Sequence, residues 1–588
     1  KNILISGSID HWLPSLVDSM KTSFSESLNT LMNKVHSMNL ADWVLTTPTH
    51  IVYLVFQVLF GRETDECYDQ LETNIHSFSN YEKKLHDKYQ ELMALLDTPL
   101  TYTEIQKTGL ALTLISNFIE TIKYLGEDQN SKWWWAQAPK VRYSTDSRKM
   151  TMVVNEDSLD FGWELWGDVR PAILTPSMQR AIHTAGMDKS AMILGSPLTG
   201  RKTCIEALAM LSGRYLYNIP AFPDMSDVVV SRLVAGTVMM GAWSLFTDIE
   251  KLPYSAISHL YDLIYTFSDA LSVELNPASR IFFTATSCPD DLLPQFRAKV
   301  KPSALSAPER KKIIEIKLVA NGFKNARSVS VKLDSIIPTI VLSFKNELFS
   351  SSSFAHISTI IHEMSLIVRE VKDSSFNITF DSDRSAEEYV AARATYIHFS
   401  RSLVEESQSM LLVLLFNCFH IFDTFESFKS KIVSPNTFRD ENEVNALSAA
   451  IKSVMHKNLP AEYIEEQALK LFSLLISHKV VIIYGSANSG KSEVLSVLSS
   501  AMTKLANDID SSTDINARNN FKRIKKMKFE KLFHDSDSWN RNFGMLLSDQ
   551  STGSIWAHGK ISSAVNHLRD NSENMMRVLV FDGNLTSK

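Results

Sequence analysis

Two segments of this chain carry residue types and spacings suited to holding the phosphates of a nucleotide. In the later one, Val480 to Tyr484 form a β-branched apolar run, and Gly485, Ser486, Ala487, Asn488, Ser489, Gly490, Lys491 and Ser492 then match GxxxxGK(S/T) in full. Val494, Leu495 and Leu498 predict an amphipathic helix directly afterwards, which completes the strand, loop and helix that the motif requires. Glycines let backbone N–H groups curl around a β-phosphate, and the helix N-terminus adds partial positive charge. Lys491 is then placed to reach the β- and γ-oxygens, and the Ser492 hydroxyl to ligate Mg2+. Downstream, the apolar run Val578 to Phe581 ends on Asp582, the second Mg2+ partner of such a site. The next residue is Gly583, where a hydrolytic site has a carboxylate that orients water. Binding without fast hydrolysis is the expectation.

The earlier segment is the same object with alterations. After the strand AMIL come Gly195 and Gly200 at the same spacing, but Arg201 stands at the lysine position and Lys202 at the Mg2+ hydroxyl position, with Thr203 one place later. A one-residue slip would turn each side chain by about 100° and move it about 1.5 Å, which points Lys202 and Thr203 away from the phosphates. Nor does the planar fork of Arg reproduce the compact charge of a Lys ammonium. In the matching strand, GAWSLFTDIEKL, Thr247 sits where Asp would ligate Mg2+, and Asp248 where a water-orienting Glu belongs. Strand alternation predicts that Asp248 faces away from its neighbour's side. Phosphoryl transfer needs the lysine, the metal and the positioned water together, so loss of hydrolysis is expected here, with structural retention of nucleotide left open.

The elements that position these loops follow from the hydrophobic pattern. In 588 residues, 44% hydrophobic and 21% charged, there is room for about four compact domains. Trp12, Leu16, Met20, Phe24, Leu28, Leu31 and Val35 recur at helical spacing, and helical patterns continue to about Gly126. Alternation at Val141 and Tyr143, then at Met150, Met152 and Val154, predicts a hairpin. From there AMILG, RYLYNI, GAWSLFTD and RIFFTAT alternate with helices, the pattern of a parallel sheet. Residues 303–440 return to helical periodicity, interrupted by serine-rich and DSSFNITFDSDRS loops. The expected fold is therefore α/β, in P-loop modules that each carry a helical subdomain, with boundaries at residues 1–155, 156–302, 303–440 and 441–588.

Net charge is −6, without the basic footprint of a nucleic-acid-coating protein. The run Met410 to Phe422 is too short for a membrane span and contains Asn417 and His420, so a buried helix is expected and no membrane partner. Cys67, Cys204, Cys288 and Cys418 are isolated, which fits a reducing, intracellular compartment. The chain starts at Lys1 and stops soon after VLVFDG, and reads as a piece of a longer protein.

In this order the motifs resemble the dynein heavy chain, from the end of its linker through the first AAA+ module into a truncated second one. SGSIDHWLPSLVDSMKTSF is similar to the linker's "G-x-V-E-x-W-L" helix, and LDFGWELWG to "F-x-Y-G-x-E-Y-L-G". GSPLTGRKTCIEALA aligns without gaps on "GPAGTGKTETTKDLA", and GAWSLFTDIEKL on "GAWCCFDEFNRI"; the triplet Gly241 to Trp243 is the most specific of these. The resemblance covers essentially the whole chain, assigns residues 1–155 to the linker, and implies a ring of AAA+ modules using ATP and Mg2+ to drive a linker swing along microtubules. By the same resemblance the second module binds ATP without fast turnover, in keeping with Asp582-Gly583 and Trp539. The sensor segment appears as FFTATSCPDD, with Thr286 in place of Asn; Arg297 follows it, and Arg393 in EEYVAARA matches a sensor arginine. Microtubules, and intermediate and light chains, are implied as partners through regions outside this sequence, and a cytoplasmic or ciliary cytoskeleton as location. A non-motor relative that keeps the ring as a nucleotide-stabilised scaffold is the alternative.

Three further features are read as structural. Trp133, Trp134 and Trp135 are expected at a core or interface. His362-Glu363 lacks the second His of a zinc helix, and the basic run Lys522 to Lys528 is expected as a solvated face.

Overall fold

The computed structural model describes residues 9–71, 74, 76–98, 100–127, 130–144, 147–155, 157–164, 169, 171–269, 276, 278–287, 298–348, 352–373, 383–433, 441–455, 461–477, 481, 483, 489–511, 526–531, 544–549, 553–558, 561, 563 and 575–580. The chain divides into two compact units, residues 1–365 with 380–429, and residues 366–379 with 430–588.

The first unit opens with helices α1 (Ile9–Met32), α2 (Leu40–Thr46), α3 (Thr49–Gln70), α4 (Ser77–Leu95), α5 (Tyr102–Glu127) and α6 (Ser131–Gln137). The apolar spacing read near the start gives α1, whose Leu28 and Leu31 are buried. Helix α3 is buried on nearly every side, as its run from Ile51 to Phe56 requires, and its Phe60 stacks on Phe118 of α5 with centroids 4.0 Å apart. An antiparallel sheet follows, of β1 (Lys140–Ser144), β2 (Lys149–Val154) and β3 (Asp157–Asp160). Alternation accounts for the first two strands. The polar third is set by its pairing with β2, a tertiary cause that leaves no hydrophobic period to read.

Next come α7 (Pro176–Gly186), β4 (Ser190–Leu194), α8 (Arg201–Ser212), β5 (Leu216–Pro220), α9 (Asp227–Met240), β6 (Trp243–Thr247), a 3-10 turn at Ile249–Lys251, α10 (Tyr254–Asp269), β7 (Arg280–Ala285) and β8 (Ala298–Val300). Four of these five strands are the predicted ones; all pair in parallel, in the order β5-β6-β7-β4-β8. Both faces are covered along β4, β6 and β7, which is why these strands read as continuous apolar runs, while the edge strand β5 keeps Tyr217 and Asn218 exposed. Trp243, Leu245 and Phe282 join Ile193, Cys204 and Ile205 on the α7/α8 side, while Phe246 and Phe283 join Val230, Val234 and Leu260 on the α9/α10 side. Gly241 has φ +72° at the end of α9, and a Cβ there would lie 2.4 Å from the Asn276 side chain. The first residue of the GAW triplet is thus required by backbone handedness and close approach together.

Helices α11 (Ala307–Ala320), α12 (Ala326–Ser343), α13 (Ser353–Asp373), α14 (Asp383–Ser400), α15 (Glu405–Cys418) and α16 (Phe425–Val433) follow. Ser306 and Glu309 form a capping box that starts α11. Helix α15 holds most of the apolar run: Leu411, Leu412 and Leu415 are buried, while Met410 and Val413 are exposed. No described helix is long and apolar enough to cross a membrane. Where α5 meets the end of α11, a Cβ on Gly109 would stand 2.1 Å from the Ala320 carbonyl oxygen. Gly109→Ala is therefore expected to force the helices apart and cost about 1–3 kcal/mol, read as a lowered Tm of the chain.

On α14, His398 Nε2 lies 2.9 Å from His356 Nδ1 of α13. Burial, with the nearby His356 and Arg401, brings His398 down to about 4, and Glu363 opposes this only in part. A histidine held neutral in the fold contributes stability that is full above its unfolded value and is lost as pH falls towards the folded one. Stability is expected to drop by about 1–3 kcal/mol between pH 6.5 and pH 4, with a shallower slope in His398→Gln, measured by thermal melts across that range. Glu363 itself is buried and paired to Arg401 at 2.7 Å, a structural role.

The second unit contains α17 (Glu441–Val454), α18 (Ala461–Ser477) and α19 (Lys491–Ser511), the parallel pair β9 (Lys526–Lys531) and β12 (Met575–Val580), and the hairpin β10 (Gly544–Asp549) with β11 (Gly553–His558). Leu447, Ile451 and Phe472 pack against Val497, Leu498 and Ala501 of α19. Of the basic run, Lys526 to Lys528 are described. That part lies in β9, with Met527 buried and its carbonyl accepting from Ser499 Oγ at 2.8 Å.

Candidate nucleotide sites

At the end of β4 the chain turns through Gly195 to Gly200 before entering α8. The Gly195 N–H donates to the Ala285 carbonyl at 3.0 Å, and Thr199 Oγ1 donates to the Ser196 carbonyl at 2.9 Å. Gly200 has φ +83°, and a Cβ there would lie 3.0 Å from the Met178 sulfur of α7. The loop thus has the form of a phosphate cradle at a helix N-terminus and at the carboxyl end of a parallel sheet.

Arg201 is the first residue of α8. Its Nη2 lies 3.2 Å from Asp248 Oδ1, and Lys251 Nζ lies 3.1 Å from Asp248 Oδ2, so one carboxylate is held between two cations. The Arg201 side chain is 11% exposed, and its buried Nη1 makes no hydrogen bond. Asp248 escapes the strand alternation read from sequence, because β6 ends at Thr247 and Asp248 has φ +55°. Its N–H donates to Thr284 Oγ1 of β7 at 3.2 Å, which holds this left-handed turn and aims the carboxylate at the phosphate loop.

Lys202 does not slip into the lysine position: its Nζ lies 3.3 Å from Glu206 on the exposed side of α8. Thr203 is half-buried in the first turn, and Thr247 offers a hydroxyl where a metal ligand would need a carboxylate. The Thr286 N–H donates to Glu250 Oε1 at 3.0 Å. Arg393 is buried on α14, where its Nη1 donates to Tyr389 Oη at 3.4 Å within the same helix. Arg297 lies outside the described residues. The residues present in this loop do not fit a Mg2+-bound triphosphate, because a protein carboxylate already engages the guanidinium, and Thr247 supplies a neutral hydroxyl in place of a metal-binding carboxylate. Sequence reasoning missed Lys251 and Thr284. The signal for Lys251 was its place three residues after Asp248.

In the second unit, Gly485, Ser486, Ala487, Asn488 and Asp582 lie outside the described residues, as do Trp539 and most of the run from Val480 to Tyr484. The described end of the loop repeats the first one: Gly490 has φ +83°, and α19 begins at Lys491. The Val494 N–H bonds the Gly490 carbonyl at 3.0 Å, as Cys204 bonds Gly200 at 2.9 Å. The same left-handed glycine in both loops makes Arg201 the counterpart of Lys491, and Lys202 that of Ser492. Lys491 Nζ donates to Ser489 Oγ at 3.4 Å, and Ser492 is exposed at the helix start. These residues fit a phosphate and its metal.

Residues 161–378, which contain both altered motifs of the first loop, match the family model described as the hydrolytic ATP binding site of the dynein motor region. Over 549 residues, 86% of the chain, the sequence is 24% identical to cytoplasmic dynein 2 heavy chain 1 of Rattus norvegicus. The chain is similar to the dynein heavy chains over most of its length. It is also 21% identical over 547 residues to dynein axonemal heavy chain 10 of Homo sapiens, and 20% identical over 531 residues to the dynein gamma chain of the flagellar outer arm of Chlamydomonas reinhardtii. The chain spans 11–12% of the length of these dyneins. With this likeness, the parallel sheet and its helical surroundings are those of an α/β AAA+ module, and the loop at Gly195 to Gly200 lies within the stretch that matches the ATP-site model.

Proposed function

We propose that this chain is the ATP-binding AAA+ part of a dynein-type microtubule motor, with nucleotide held by the second phosphate loop and no turnover at the first. One observation supports the division above all: Arg201 and Lys491 occupy equivalent positions, yet Arg201 is engaged by Asp248. In the second loop Lys491 would hold the β- and γ-phosphates, with Ser492 and Asp582 on Mg2+; the metal supplies charge neutralisation across the phosphates when bound. Gly583 leaves no carboxylate to activate water there, so nucleotide is retained rather than consumed. The linker-like helices would then transmit the nucleotide state of the ring. Microtubules and dynein intermediate and light chains are partners of the whole heavy chain, at the cytoplasmic or ciliary cytoskeleton.

A second reading, a non-motor scaffold in which the ring is only stabilised by nucleotide, is favoured by the same Arg201–Asp248 pair. Microtubule-stimulated ATP turnover by the heavy chain that carries this sequence separates the two, measured beside Arg201→Ala. Stimulated turnover insensitive to Arg201→Ala supports a motor driven from other modules; nucleotide binding without stimulated turnover supports the scaffold. A fall in turnover with Arg201→Ala contradicts the proposed silence of the first site.

A further inference from the structure

The first phosphate loop supplies its own anion. Arg201 opens α8, and Asp248, 47 residues further on, sets one carboxylate oxygen 3.2 Å from its Nη2. The loop before Arg201 is shaped for negative charge. Leu198 and Gly200 are both left-handed, at φ +66° and +83°, and among the described residues the N–H groups of Leu198, Thr199 and Gly200 donate to no acceptor. Successive N–H groups in such a curl at the start of a helix form a concavity that favours an anion. The negative group that the fold brings to Arg201 is a side chain of the same chain.

Three features make this contact exchangeable. It uses a single N–H at 3.2 Å, longer than the about 2.7–2.9 Å of a tight charge-assisted bond. The Asp248 side chain is 35% exposed against 11% for Arg201, so the carboxylate is the more solvent-facing member of the pair. Lys251 Nζ lies 3.1 Å from the other carboxylate oxygen, which leaves Asp248 a cation when Arg201 releases it. Glu250 does not compete for Arg201 in the same way, because its Oε1 accepts from the Thr286 N–H at 3.0 Å.

We propose that Asp248 is a built-in competitor for phosphate: its carboxylate occupies Arg201, and the first loop takes a metal-free phosphate group, the terminal phosphate of ADP, only when that pair opens. The inference rests on the division of roles between the two loops given above, and it names what closes the first. The absence of metal from the exchange follows from Thr247, a neutral hydroxyl where a carboxylate would bind Mg2+.

Isothermal titration with ADP in EDTA tests this on the full chain carrying Lys491→Ala, which weakens the second loop. Adding Asp248→Ala is expected to raise the affinity for ADP about 10-fold or more, the worth of one charge-assisted contact made available by Arg201. Adding Arg201→Met to those two substitutions should remove the gain, and Mg2+ in place of EDTA should leave the gain unchanged. Asp248→Asn keeps the side chain's shape without its charge; it should give a smaller gain in the same direction, and it decides the matter if Asp248→Ala does not fold. No gain on replacing Asp248, a gain that survives Arg201→Met, or a gain that appears only with Mg2+ each overturns the proposal. Equal ADP affinity in the parent and Lys491→Ala chains would instead refute the role given to the second loop, with the steps at Asp248 and Arg201 still read on the same chain.

Discussion

A chain carrying Lys491→Ala is expected to bind ATP about 100-fold more weakly than the parent chain. The loop that precedes α19 ends on a left-handed glycine, and Lys491 is the first residue of the helix, so its ammonium is aimed back over the loop. Removing one partner of a desolvated charge-assisted contact costs about 2–5 kcal/mol, and about 1.4 kcal/mol is a factor of ten in affinity. Ser489 and Ser492 remain but supply no cation. Titration with a fluorescent ATP analogue, beside circular dichroism to establish that the variant is folded, reads the change directly. Adding Arg201→Ala to Lys491→Ala should change the affinity little, because Arg201 is already engaged by Asp248. Equal affinities for the parent and Lys491→Ala chains would place the bound nucleotide somewhere other than the second loop.

Asp248→Ala is expected to destabilise the first unit by about 1–3 kcal/mol, a figure kept low because Asp248 is partly exposed. The charge left behind is the reason. Arg201 is 11% exposed, its Nη1 already makes no hydrogen bond, and losing Asp248 would strip the acceptor from Nη2. Lys251 is exposed and can turn to solvent, so its loss of partner matters less. Removing both charges should restore stability: Arg201→Met with Asp248→Ala is expected to melt close to the parent chain and well above Asp248→Ala alone. Differential scanning calorimetry of the full chain, following the transition that responds to these substitutions, supplies the cycle. Additive effects of the two substitutions would mean that the pair has no energetic coupling.

Much of the fold was legible because its strongest signals are periodic. The apolar runs that become β4, β6 and β7 are long enough to be read as strands buried on both faces, and each gives way to a glycine or threonine that breaks the run, whereas the edge strand β5 ends at Pro220 and leaves Tyr217 and Asn218 exposed. Strands β3 and β8 were not legible, since Asp157 to Asp160 and Ala298 to Val300 have no apolar period and exist only through pairing with β2 and β4. The basic run at Lys526 to Lys528 was not legible as a strand. Its charge pattern suggested solvent, while one buried residue, Met527, and main-chain pairing with β12 make it a strand.

The candidate site divides along the same line. Residue type alone determined that the first loop has an Arg where a Lys is required, that Thr247 is no metal ligand, and that the second loop has its lysine and hydroxyl in register; these follow from the chemistry of each side chain and its count along the chain. Which groups meet was decided only by tertiary structure. Strand alternation would turn Asp248 away, but β6 stops one residue earlier, and the hydrogen bond from Asp248 to Thr284 holds a left-handed turn that delivers its carboxylate to Arg201. That contact joins residues 47 positions apart, on two different strand-to-helix connections. No local period encodes it. The parallel sheet does, by setting the carboxyl ends of β4, β6 and β7 side by side.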